Sequence, residues 1–133
     1  MHLGLVTYQI GRDLDLGSLI ELCRQTGLAG FELRTTHAHG VEPSLKPGER
    51  AAVREQVAES GLVLWGLGTT CEYDSPDRQE LRRNIEQTRA FVELARDVGA
   101  RGVKVRPNRL HEDQGIAAGK TLRQIGLALR ECG

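Results

Sequence analysis

Gly30-Phe31-Glu32-Leu33-Arg34-Thr35-Thr36-His37-Ala38-His39-Gly40 reads as a strand that runs into a polar loop. Phe31 and Leu33 alternate with Glu32 and Arg34. Successive strand side chains point to opposite faces, so the apolar pair goes to one side and the ionisable pair to the other. The frame returns at Gly102-Val103-Lys104-Val105-Arg106-Pro107-Asn108, where valines alternate with Lys104 and Arg106 and a polar residue follows in the loop. One structural unit is used twice, with its charged face leading into loops rich in hydroxyl, imidazole and amide groups.

Working outward from these two stretches, strands and helices alternate. Leu3 to Ile10 is a first strand, closed by Gly11. Asp15 is placed to cap a helix from Leu16 to about Thr26, with Gly27 as its left-handed stop. Pro47 and Glu49 start a second helix that runs to Gly61 and whose apolar stripe is thin. Leu62 to Gly68 is a third strand, apolar throughout, in which Trp65 reads as core against helices. Ser75-Pro76-Asp77 opens a long helix carrying Leu81, Ile85, Thr88, Val92 and Ala95, backed by Phe91, Leu94 and Val98 and ended by Gly99. Gly102 to Arg106 is the fourth strand, and a helix from Ala118 to Cys132 carries Leu122, Ile125 and Leu129.

Connections of this length join parallel strands by right-handed crossovers. The glycines that end helices, at 27, 61, 99 and 133, recur every 34 to 38 residues, the period of a one-strand, one-helix unit. Four such units over residues 1–133 are expected to form a single α/β domain, half of a (β/α)8 barrel, which in full takes ~250 residues. Gly133 falls where a fourth unit should end. The half-barrel leaves two strand edges and one sheet face open. Three outcomes satisfy that pattern: a piece of a longer protein, closure by a missing C-terminal half or a second copy through dimerisation, or flattening into an open doubly wound sheet.

Eighteen basic and eighteen acidic side chains balance, and five aromatics are too few for a stacking groove, so nucleic acid is not an expected partner. No apolar run reaches the ~20 residues of a membrane span, and the N-terminus lacks the shape of a signal peptide, so a cytoplasmic location is expected. Cys23, Cys71 and Cys132 are odd in number and lack C-x-x-C spacing, against a disulfide framework or a cysteine zinc site. Cys71, in the loop after strand three, has no basic neighbour in sequence to activate it as a nucleophile.

Gly-Phe-Glu-Leu-Arg at 30–34, the loop ending His39-Gly40, Gly-Leu-Gly-Thr-Thr at 66–70 and Gly102-Val103-Lys104-Val105 together resemble the N-terminal half of the sugar phosphate isomerase/epimerase family. These are xylose isomerase-like TIM barrels. Their relatives include ketohexose epimerases, hydroxypyruvate isomerase, inosose dehydratase and the endonuclease IV branch. The resemblance implies a divalent metal (Mn, Mg or Co) and two carboxylates that move protons beside a carbonyl. It also implies that most members carry their metal ligands on strands five to eight, so this chain alone is expected to bind no metal and to be non-catalytic.

Among the residues present, Arg34 and Arg106 end even-numbered strands and fall in one interior layer of a barrel, where paired guanidiniums suit a phosphate or carboxylate. The competing reading is an internal ion network with Glu32 and Lys104. His37, His39 and Asn108 are further candidates for substrate contact, and Glu72 for proton transfer. His37 and His39 are also where a metal site would start, with Glu42 and Glu72 as oxygen donors, although such sites want three or four converging ligands. Two other functions compete with the sugar pocket: a half-barrel that only assembles, and an open-sheet small-molecule binding domain. A nucleotide site is disfavoured, since Gly11-Arg12-Asp13 is no Gly-rich phosphate turn.

Overall fold

The computed structural model describes residues 1–133. Local chemistry sets its helix boundaries. Asp15 accepts a hydrogen bond from the Ser18 N–H at 2.7 Å and starts α1 (Leu16–Thr26), which Gly27 ends at φ 69°. Pro47 opens α2 (Pro47–Ser60), with the Lys46 N–H donating to Glu49 at 2.7 Å. Asp77 caps α3 (Arg78–Val98), and Gly99 ends it at φ 79°. A short 3-10 turn at Glu112–Gln114 precedes α4 (Ala118–Cys132).

The strands are β1 (Gly4–Val6), β2 (Gly30–Arg34), β3 (Val63–Gly68) and β4 (Val103–Lys104). They form one parallel sheet in the order β1-β2-β3-β4. An open doubly wound sheet reverses its strand order at a switch point. This one does not, which removes the flattened alternative. β1 and β4 are shorter than the spans Leu3–Ile10 and Gly102–Arg106 expected from sequence, because each has a neighbour on one side only.

Leu5, Phe31, Leu33, Leu64, Leu67 and Val103 pack with residues of α1, α2 and α3 in one cluster, so the helices cover one face of the sheet. Each fully buried side chain of this kind, such as Phe31 or Leu33, contributes about 1.5–3 kcal/mol. A second cluster of Cys71, Tyr73, Ile85, Ile125 and Ala128 joins α3 to α4. Helix α2 buries only Val57, in keeping with its thin stripe.

Three packing expectations need correction. Val92 is exposed, whereas Ile85, Thr88, Phe91, Leu94, Ala95 and Val98 of the expected stripe form the buried face of α3. Leu122 and Leu129 are exposed, and α4 instead buries Thr121, Ile125 and Ala128. Trp65 does not pack against the helices. Phe31 pairs with Leu64 but Glu32 pairs with Gly66, so Trp65 is the extra residue of a β-bulge and turns to the open face, 39% exposed.

Candidate functional site

The open face is arranged in tiers. At its base Gly4 and Gly30 pair across β1 and β2, and the Trp65 indole lies over them. A Cβ on Gly4 would stand 3.2 Å from Trp65 Nε1, so the missing side chains make the space for the ring. The Arg101 guanidinium lies 4.6 Å from the indole centroid. Above this floor Glu32 of β2 and Lys104 of β4 form an ion pair across β3, where Gly68 leaves room: a Cβ there would come within 3.0 Å of Glu32 Oε1. Their expected mutual neutralisation is present.

At the C-terminal ends of the strands the two arginines have different surroundings. Arg106 Nη2 lies 3.1 Å from Glu72 Oε1, and Asn108 Nδ2 donates to Glu72 Oε2 at 2.8 Å. Glu72 follows β3 and the other two follow β4, so one carboxylate ties adjacent loops together. Arg34 forms no ion pair; its guanidinium stacks 4.7 Å from the Tyr8 ring centroid. Thr7, fully buried after β1, accepts the Arg34 N–H at 2.9 Å and lies 3.2 Å from His37 Nδ1. Arg34, Tyr8, Thr7 and His37 thus make a second cluster, over β1 and β2.

His39 faces a different task. Its Nδ1 accepts the Val41 N–H at 3.0 Å and its Nε2 donates to the Arg34 carbonyl at 2.7 Å, which fixes the neutral Nε2–H tautomer. Burial holds its pKa below the ordinary value of 6.5, partly opposed by the Arg34 carbonyl and Glu42. Both ring nitrogens are occupied by backbone, leaving no lone pair for a metal ion and no free group for substrate in this arrangement. Glu42 is likewise committed, accepting from Thr35 Oγ1 at 2.8 Å and the Thr36 N–H at 2.6 Å. No three His, Cys, Asp or Glu side chains converge at metal-binding geometry. The residues present therefore do not fit the divalent ion that the family resemblance implies.

Cys71 is completely buried beneath the loop that carries Glu72. Sequence reading passed over Asp74 and His111. They form a buried pair, His111 Nε2 to Asp74 Oδ2 at 2.9 Å, and Asp74 also accepts the Arg109 N–H at 3.3 Å. The pair clamps the loop after β4 to the loop after β3 and so fixes Arg106 and Asn108 relative to Glu72. Two residues 37 positions apart carry no spacing signal that could have revealed this. Grooves on the helical side, such as that lined by Arg54, Val57, Leu64 and Val98, hold no comparable convergence of polar groups.

The family described as xylose isomerase-like TIM barrel matches residues 20–133. No curated protein matches the sequence. Among solved structures, a D-psicose 3-epimerase determined in the presence of D-fructose superposes with a TM-score of 0.73 at 14% identity, over 97% of this chain and 46% of that one. The 3-keto-D-glucoside 4-epimerase YcjR of E. coli gives 0.63 at 16% identity, over 100% and 53%. An L-ribulose 3-epimerase gives 0.63 at 18%, over 100% and 48%. The chain spans about half the length of the structures it matches, which is the share a half-barrel takes of a whole one.

Proposed function

Because the chain belongs to the xylose isomerase-like TIM barrel family, we propose that residues 1–133 form a (βα)4 half-barrel domain supplying one wall of a pocket for a sugar or sugar phosphate. The observation that carries this reading is the convergence of Glu72, Arg106 and Asn108 from two adjacent strand ends, with Glu72 joined to Arg106 at 3.1 Å and to Asn108 at 2.8 Å, while Arg34 stands at the end of the next strand, β2. A carboxylate flanked by an amide and a guanidinium offers acceptors and donors at the spacing of neighbouring hydroxyls. Arg34, with no carboxylate partner, is the group left for an anionic substituent, and His37 stands beside it. His39 is assigned to holding the loop rather than to ligand.

Glu72 is the one carboxylate of this wall placed to exchange protons with a bound sugar, and the second carboxylate of the family's chemistry has no counterpart here. This half therefore binds without turning over, and its partner is another half-barrel. The three free thiols, Cys23, Cys71 and Cys132, suit a reducing compartment, and we assign the protein to the cytoplasm on that ground.

Calorimetric titration tests the proposal. D-fructose or its 6-phosphate binds with millimolar affinity, Arg34→Ala and Asn108→Ala each weaken binding by about tenfold, and no epimerised product accumulates. Absence of heat with both ligands overturns the pocket, and turnover by this chain overturns the non-catalytic assignment. A half-barrel that serves assembly alone is the second reading, favoured by the engagement of both His39 nitrogens; it gives no sugar heat.

A further inference from the structure

Between the loop after β3 and the starts of α3 and α4 lies a cavity of about 160 Å³, well below the ~300 Å³ at which pockets for drug-sized ligands begin. Its lining residues fall in 74–78 and 116–124, so two adjacent strand-and-helix units supply all of its walls. Gln124 fixes its shape. The Nε2 group donates to the Tyr73 and Ser75 carbonyls, at 2.8 Å each, and so ties α4 to the loop.

Two charges on this cavity stand against the usual electrostatic preference. Arg78 is the first residue of α3 and Lys120 the third of α4, where the positive end of a helix dipole disfavours a cation. Neither makes an ion pair. Asp77 and Glu80, the acids nearest Arg78 in sequence, are turned instead to the Gln79 N–H at 2.8 Å and the Ser75 hydroxyl at 2.6 Å. Ala117, at the cap position of α4, has no side chain to satisfy the free N–H groups of that helix. An anion in the cavity relieves each of these.

The buried wall narrows the choice of anion. Thr121 is 4% exposed and lines the cavity, yet its hydroxyl bonds to nothing in the protein, whereas Thr26 and Thr88 turn theirs to the carbonyl four residues back. Asp74, 6% exposed, accepts the His111 ring and the Arg109 N–H through Oδ2 alone. Its Oδ1 is therefore an unused acceptor on a residue of the cavity wall. A carboxylate oxygen repels an anion unless the anion brings a proton to share. Inorganic phosphate keeps at least one O–H at neutral pH, and sulfate keeps none.

We propose that this cavity binds hydrogen phosphate, with Arg78 and Lys120 neutralising its charge, Thr121 donating its hydroxyl, and the phosphate O–H donating to Asp74 Oδ1. A phosphate monoester offers the same cations a ligand but at pH 7 is mostly the proton-free dianion, so it binds more weakly than free phosphate. The site does not rest on the half-pocket reading, since neither Arg34 nor Glu72 lines it.

Calorimetric titration of the 133-residue chain with inorganic phosphate at pH 7 tests it, with millimolar affinity expected and no heat from sulfate at equal ionic strength. Arg78→Gln and Lys120→Gln, both at exposed positions, each weaken phosphate binding about tenfold. Arg83→Gln, which removes an exposed cation of α3 outside the cavity, leaves it unchanged, as does Arg34→Ala. Asp74→Asn, which puts an amide in place of the carboxylate, removes the preference for phosphate over sulfate; if circular dichroism shows that variant unfolded, the sulfate titration of the unsubstituted chain decides. Amide NMR shifts on adding phosphate centre on residues 74–78 and 116–124.

No phosphate heat up to ~20 mM, equal affinity for sulfate, or an equal loss with Arg83→Gln would each overturn the proposal. Binding lost with Arg34→Ala and kept with Arg78→Gln would place the anion on the sugar-facing wall, overturning this site while favouring the half-pocket. Heat from phosphate without heat from D-fructose supports this site whatever becomes of the half-pocket.

Discussion

Thr36 and Asn108 occupy one place in two copies of the same frame: each follows an inward arginine by two residues, they lie 72 positions apart, and both are non-glycine residues with positive φ, 65° and 58°. The left-handed turn takes the chain off the strand end just above Arg34 in one unit and Arg106 in the other. A β-branched residue in this region costs roughly 1–2 kcal/mol, whereas asparagine adopts it readily. Thr36→Gly is therefore expected to raise stability by about 1 kcal/mol, less whatever is lost with the Thr36 Oγ1 to Thr35 carbonyl bond. Asn108→Gly should leave backbone strain nearly unchanged and remove the bond to Glu72. Thermal midpoints of the two variants, compared with their sugar affinities, separate strain from contact.

The Arg106–Glu72 pair and the solitary Arg34 make opposite demands on a mutational test. Both members of the pair are partly exposed, and an ion pair in that setting is worth about 0–1 kcal/mol. Glu72→Gln should thus lower stability by less than about 1 kcal/mol, and Arg34→Ala, which breaks no ion pair, by no more. Large losses of stability in ligand-free protein would assign these groups to an internal network instead. Denaturant midpoints at constant slope are the measurement.

His39 makes stability depend on pH in mild acid. Burial holds its folded-state pKa below the ordinary 6.5, so in the window beneath 6.5 the unfolded chain binds the extra proton. The contribution is complete above 6.5 and declines as pH falls towards the folded value, because protonating Nδ1 breaks the bond from the Val41 N–H. Unfolding midpoints are expected to be flat from pH ~8 to ~7 and to fall as the pH drops below ~6.5. His39→Gln should lower the whole curve and flatten that fall.

Legibility in the sequence followed the range of the interactions. Asp15, Gly27, Asp77 and Gly99 act within one helical turn of where they stand, and the helix boundaries they imply are those observed. The Glu32–Lys104 pair was readable because both residues sit at the same place in a repeated frame. Leu122, Ile125 and Leu129 fit one helical stripe as well as Thr121, Ile125 and Ala128 do, and only the position of α3 decides between them. The bulge that turns Trp65 outward lies in a run without alternation, so nothing local marks it. Asp74 and His111 meet only because two loops leave adjacent strands.

Gly30 and Gly4 share the floor under Trp65, yet they should respond differently to a methyl group. A Cβ on Gly30 would overlap the Val63 carbonyl of β3, a backbone atom held in the ladder between β2 and β3. A Cβ on Gly4 would meet Trp65 Nε1 at 3.2 Å, a contact eased by a small movement of the ring, and the Gly30 carbonyl at 3.1 Å, which a shift of a few tenths of an ångström in the edge strand β1 relieves. Gly30→Ala is accordingly expected to cost more than about 3 kcal/mol and Gly4→Ala about 1 kcal/mol. Adding Trp65→Ala should recover much of the Gly4→Ala loss and little of the Gly30→Ala loss, because removing the ring does not move Val63. Urea unfolding of the two double-mutant cycles reads this directly as a coupling present in one and small in the other; equal couplings would mean that the indole, not the β3 backbone, sets the spacing of the floor.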